Sequence, residues 1–171
     1  ETMPIFKLTD CPSPFAPSDA ETRPLYAVSA ADFERPDLVP DGFRAFALSS
    51  GFKAGDGEIV LCPGSDGKLA GALFGLGDGT NPFVAGRLSK RLPAGDWHFA
   101  HLSGDKAAAL LAFATGTYRF DRYLKPAPAR VRVAIPEDCD VAAIERGYGA
   151  VALARDLINT PTNDMQPDHL E

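Results

Sequence analysis

Extended apolar runs and helical patterns take turns along this chain, and that alternation leaves few architectures open. Residues 25–29, 58–62, 68–76, 97–102 and 130–135 read as strands, apolar and bounded by Gly, Pro, Asn or Asp. Between them, 30–33 reads as a helical turn and 40–50, 81–92 and 106–118 as helices. A longer helix runs from a cap at Asp138 or Asp140 to about Leu157. Strands that alternate with helices build an α/β domain with helices on both faces of one sheet.

Punctuation supports the elements. Gly51 suits the left-handed residue that closes a helix. Gly64-Ser65-Asp66-Gly67 is turn chemistry between two strand runs, a hairpin signal. The return strand, with Leu69, Ala70, Ala72, Leu73 and Phe74, lacks polar alternation and is expected to be covered on both faces. Asn81 caps and Pro82 opens the next helix. Ser103 or Asp105 caps the Ala-rich helix after it, whose Leu110, Leu111, Phe113, Ala114 and Thr117 form a broad apolar face. In the last helix Ile144, Tyr148, Val151, Ala152, Arg155 and Ile158 follow the three-four rhythm. Phe43, Phe46, Phe74, Phe83, Trp97, Phe99 and Phe113 lie on apolar faces and are expected in the core. Pro4, Pro12, Pro14, Pro17 and Pro24 break any long element near the start, leaving residues 5–8 as one short strand.

Composition excludes several classes. The chain has 171 residues, enough to bury a core without staples, and a net charge of −6 that speaks against a nucleic-acid surface over the whole domain. Cys11, Cys62 and Cys139 are an odd count without CxxC spacing, which suits a reducing compartment and thiols that behave as small hydrophobes. No apolar run is long enough to span a membrane and no signal-peptide pattern opens the chain, so the cytoplasm is expected.

Four groups of residues invite a chemical reading. His98 and His101 lie in one strand, where positions three apart face opposite sides; Trp97, Phe99 and His101 are expected on one face, His98 and Ala100 on the other. The loop Gly75-Leu76-Gly77-Asp78-Gly79 follows a strand and precedes a helix, as phosphate loops do, but its spacing matches neither GxGxxG nor a P-loop. Gly75, Gly77 and Gly79 are the candidate cofactor-binding residues there, with turn chemistry as the plainer account. Arg119, Arg122, Lys125, Arg130 and Arg132 form the densest basic stretch, read as solvated surface or as ion pairs between subunits. His169, near the end, is expected to be solvated. No stretch gathers carboxylates as a metal-assisted hydrolase requires, so no catalytic and no metal-binding residue is assigned.

The end of the chain carries a resemblance. Residues 154–161, Ala-Arg-Asp-Leu-Ile-Asn-Thr-Pro, are followed by Asn163-Asp164-Met165 and Pro167. They resemble the junction between the two domains of M17-family leucyl aminopeptidases. Residues 69–77, 92–97 and 112–120 are similar to bacterial members in the same order, so the likeness covers most of the chain after Gly42. Gln166 stands where the family pattern expects glycine. The resemblance implies a three-layer α/β/α, macro-domain-like fold with a mixed sheet. Residues 1–24 read as a Pro-rich segment packed on the domain, and the resemblance implies the macro-like domain at 25–137, an interdomain helix at 138–158 and the severed start of a catalytic domain at 159–171. Asp156, Asn159, Asn163 and Asp164 would order that connection through capping and turn hydrogen bonds.

The family's chemistry is implied to lie beyond this chain. Two divalent metals, Zn or Mn, are held by carboxylates and a lysine near an Asn-Thr-Asp-Ala-Glu-Gly-Arg run, which is absent here. The parent would cleave N-terminal residues from peptides and assemble as a homohexamer, with this domain shaping assembly and access. An alternative reading makes the domain a macro-like module for a nucleotide or ADP-ribose, with the glycine loop as a wall of the crevice. A DNA-binding module is a further alternative.

Overall fold

The computed structural model describes residues 13–120 and 130–161. Among the described residues five strands form one mixed sheet in the order β2-β3-β1-β4-β5. They are β1 (Arg23–Val28), β2 (Ile59–Pro63), β3 (Leu69–Gly75), β4 (Gly95–Leu102) and β5 (Val131–Ala134). β3, β1, β4 and β5 run parallel, and β2 pairs antiparallel with β3 through the expected hairpin. Ala72, Leu73 and Phe74 of β3 are fully buried, as a strand covered on both faces must be.

Strand alternation divides the core in two. Leu25, Ala27, Ala72, Phe74 and Trp97 face one layer of helices; Val28, Cys62 and Leu73 face the other. The first layer holds the 3-10 helix Pro82–Arg87, α3 (Leu88–Arg91), α4 (Lys106–Thr117) and α5 (Val141–Asn159). The second holds α1 (Ala30–Phe33) and α2 (Asp41–Ser49). The result is the expected three-layer α/β/α arrangement.

Local chemistry explains the helix ends. Ser29, Asn81, Asp105 and Asp140 each cap a helix by accepting from a backbone amide two or three residues on. α2 ends in a Schellman motif: Gly51 sits at φ +79° and donates to the Leu48 carbonyl, while the Phe52 amide reaches the Ala47 carbonyl. Buried Phe52 then meets Phe33 edge-on, 5.0 Å between ring centres.

Several expectations change. The helix expected over 81–92 begins as a 3-10 turn, and Val84, Ala85 and Leu88 take its buried side. Phe83 is therefore turned out, 75% exposed, and Phe46 is 39% exposed because Ala47 and Phe43 set the inner side of α2; neither is core. In α5 the buried side is Ile144, Tyr148, Ala152 and Asp156, spaced by four, so Ile158 faces solvent and Arg155 is exposed. The short strand expected at 5–8 lies outside the described residues.

The Pro-rich start contributes to the core where it is described. Phe15 is buried, forms a parallel bridge with Val133 and stacks edge-on against Tyr148. The Ala16 amide donates to the Val133 carbonyl, and the Val133 amide to that of Pro14, so this segment covers the free edge of β5. Among the described residues no helix is long and apolar enough to cross a membrane.

Candidate functional site

α5 ends in a polar cluster that ties it to the end of α4. The Asp156 side chain is buried beneath the last turn, and the Tyr118 hydroxyl donates to its Oδ1 at 2.7 Å. Asn159 Nδ2 reaches the same phenolic oxygen at 3.3 Å. The Thr160 amide and hydroxyl both donate to the Asp156 carbonyl, at 2.9 and 2.6 Å, closing the helix where its carbonyls lack intrahelical partners. The Arg155 guanidinium lies 5.3 Å from the Tyr118 ring centre and donates to the Thr115 carbonyl. Asp156 and Asn159, singled out in the sequence, thus meet at Tyr118; Asn163 and Asp164 lie outside the described residues. Tyr118 carried no signal of this role, because it is 38 residues from Asp156.

The two histidines do not stand as expected. The pairing of β1 with β4 slips between Leu25 and Tyr26, so that Leu25 pairs with Phe99 and Tyr26 with His101. Ala100 is the extra residue of this bulge, and it shifts the alternation by one position. His98, paired with Pro24, and His101, paired with Tyr26, therefore share a sheet face, and Leu102 joins Trp97 in the core. They still have separate partners. His98 Nδ1 bonds the Thr22 hydroxyl at 2.9 Å, whereas His101 Nε2 lies 3.3 Å from Ser103 Oγ and 3.8 Å from Asp32 Oδ2.

The Ser103, His101 and Asp32 group resembles a nucleophilic triad in composition only. The Asp32 carboxylate is an acceptor, so the Ser103 hydroxyl donates to it and the His101 Nε2–H points at Ser103. The Ser29 amide also donates to Ser103. The hydroxyl is spent on a carboxylate rather than handed to an imidazole base, the reverse of what activates a serine. Ser103 holds the Asp32 carboxyl below the usual carboxylate range, helped by Ser29, His101 and Arg35.

The glycine loop is a packed turn. The amide of Gly75 donates to the Glu58 carbonyl, that of Leu76 to Val28, that of Gly77 to Ala54 and that of Gly79 to Leu76. These donors are thus used within the fold, where a phosphate cradle would present them outward. The glycines are needed for closeness: a Cβ on Gly75 would stand 2.2 Å from the Gly55 carbonyl oxygen. Gly77 and Gly79 have φ of +60° and +77°. Asp78 turns its carboxylate to the Thr80 amide and hydroxyl.

The basic stretch divides between two places where it is described. Arg132, expected to be solvated or paired between subunits, grips Asp96 within its own sheet through two hydrogen bonds of 2.7 Å, at a β4–β5 register pair. Arg119 and Arg130 line a cavity of about 490 Å³ with Lys90, Ser89 and Thr117. Arg122 and Lys125 lie outside the described residues, as do Cys11 and His169. Cys62 is buried and its thiol pushed up to about 11 by desolvation; Cys139 is half-buried and also raised, first by burial. Among the described residues no three His, Cys, Asp or Glu side chains come together as a metal site would require.

A mixed, parallel-cored α/β/α domain closed by a polar helix junction defines a class, and comparison with known proteins gives the family. The family model of the M17 aminopeptidase N-terminal domain matches residues 41–136, more than half of the chain. This chain belongs to that family. It is 32% identical over 163 residues to a probable cytosol aminopeptidase of Bradyrhizobium sp., covering 83% of this chain and 30% of the relative. The crystal structure of the cytosol aminopeptidase from Coxiella burnetii superposes with a TM-score of 0.70 at 31% identity, covering 88% of this chain and 34% of that one. The bottromycin maturation enzyme BotP in complex with Mn gives a TM-score of 0.61 at 26% identity, over 86% of this chain and 34% of that one. The chain thus spans about a third of the length of the proteins it matches.

Proposed function

We propose that this chain is the non-catalytic N-terminal domain of a two-metal leucyl aminopeptidase, a cytoplasmic enzyme that releases N-terminal amino acids from peptides. The observation that carries the reading is the family match at 41–136 on a chain that spans a third of its relatives. The remaining two thirds of the parent would hold two divalent ions, Zn or Mn. One would polarise the scissile carbonyl while both activate a hydroxide. This domain would shape a homohexameric assembly and bound access to the active site, and its link to the catalytic domain would be set by the Tyr118, Asp156 and Asn159 cluster. The bottromycin maturation enzyme BotP has been solved in complex with Mn, which supports a divalent metal in the parent.

The test is enzymatic. The purified 171-residue chain, given Mn or Zn and a leucine chromogenic substrate, is expected to show no turnover above the metal-only blank. Measurable turnover would defeat the proposal.

A further inference from the structure

Acidic residues outnumber basic ones on this chain, 23 to 17. The cavity of about 490 Å³ has the opposite character. It lies between α3, the end of α4 and the start of β5, and Lys90, Arg119 and Arg130 line it. Among the described residues of the lining none is acidic. Cations gathered around a concave site focus the field and draw anions into it. Each guanidinium carries five donors, enough to hold a protein neighbour and an anion together. The support is firm: Leu92 and Val131 of the same lining are buried in the main core. The Arg130 carbonyl accepts from the Gly95 amide at 3.1 Å, which fixes the backbone that carries the arginine.

The hydroxyls in the lining narrow the ligand. Ser89 donates its proton to the Gly86 carbonyl at 2.9 Å, and Thr117 donates to that of Ala114 at 2.7 Å. A hydroxyl that has given its proton still accepts, so both oxygens suit a ligand that brings hydroxyl donors of its own. Three cations call for more than one negative charge, and a phosphomonoester supplies about −1.5 to −2 at pH 7 where a carboxylate supplies one. The volume is that of a small-molecule site. The charges converge on a hollow, whereas a nucleic-acid backbone would be met by a stripe. We infer that this cavity binds a small hydroxylated phosphomonoester, a sugar phosphate in class. Lys90, Arg119 and Arg130 hold the phosphate, and Ser89 and Thr117 accept from the hydroxyls.

Calorimetric titration of the 171-residue chain tests this with glycerol 3-phosphate, ribose 5-phosphate and glucose 6-phosphate as graded probes. Inorganic phosphate and glucose serve as the two separate halves. At least one of the three esters should bind saturably, about tenfold more tightly than inorganic phosphate, and glucose should not bind. Lys90→Gln and Arg130→Gln should each weaken the ester by about tenfold, the loss of one charged hydrogen bond. Lys90 is exposed, so its variant keeps the test decisive if Arg130→Gln does not fold. Ser89→Ala should weaken the ester and leave inorganic phosphate unchanged. No saturable binding of any ester by the folded chain overturns the inference. So does inorganic phosphate that binds as tightly as all three, or an ester affinity unchanged in Lys90→Gln. A DNA duplex that binds more tightly than the esters, and weakens in the same variants, also overturns it by giving the cations to a polyanionic backbone. The readout is binding alone, so failure here leaves the aminopeptidase reading standing.

Discussion

Tyr118 and Asp156 show how one hydrogen bond can hold a helix end. The carboxylate is buried, and the phenol is a donor aimed at it from another element. Tyr118→Phe keeps the ring under Arg155 and removes that donor. Stripping a donor from a buried acceptor costs about 1–3 kcal/mol, and more when the acceptor is charged. The urea midpoint should fall accordingly with an unchanged slope; a midpoint within error of the wild type would show that the bond contributes nothing. Asp32 offers a second test, through pH. Its carboxyl is lowered in the folded chain, chiefly by the Ser103 hydroxyl. A group lowered on folding adds stability that is present above its unfolded value and is lost as pH falls through the folded value. Ser103→Ala should therefore flatten the loss of unfolding free energy between about pH 5 and the acid limit of the folded state. Parallel acid limbs for the two proteins would refute the assignment. Neither residue pairing was legible in the sequence, because the partners lie 38 and 71 residues apart.

Helices behave differently from the sum of their propensities where backbones touch. Gly116 and Gly149 both sit inside helices, where alanine is favoured by about 0.8–1 kcal/mol. A Cβ on Gly149 meets nothing within 4 Å, so Gly149→Ala should raise the melting temperature. A Cβ on Gly116 would stand 2.3 Å from the Gly86 carbonyl oxygen, where α4 crosses the 3-10 helix. Overpacking of this kind costs about 1–3 kcal/mol, more than the propensity gain, so Gly116→Ala should lower it. Calorimetry on the two variants decides the matter, and a rise for both would show that α4 can move aside. Element identity itself was largely legible. Caps, turn glycines and strand-length apolar runs are local signals, and the hairpin, α2, α4 and α5 follow them. The bulge at Ala100 was not, because it depends on how β1 and β4 register, and it moved His101 to the opposite face.

The whole domain is held together by its ends as much as by its sheet. Phe15, in the Pro-rich start, covers β5 and packs on Tyr148 of α5. Phe15→Ala should cost about 3–5 kcal/mol, the usual range for a buried Phe, and so remove a large part of a typical domain's stability. A shift in the urea midpoint equivalent to less than 1 kcal/mol would mean that the segment is only laid on the surface. At the other end α5 packs on the core and is tied to α4 through Tyr118 and Asp156. One end thus closes the fold, while the other is proposed to join it to its neighbour.

Covalent neighbours alone settled the alternation of strands and helices, the capped ends and the α/β class. Those properties are encoded within a few residues, in side-chain period, cap chemistry and turn geometry. Distant neighbours settled the rest: that the glycine-loop amides are used inside the fold, that Ser103 gives its proton to Asp32, that Tyr118 finds Asp156, and that Ile158 is left outside. Each depends on which groups arrive from dozens of residues away, and a one-residue slip in register is enough to reverse a side chain's face.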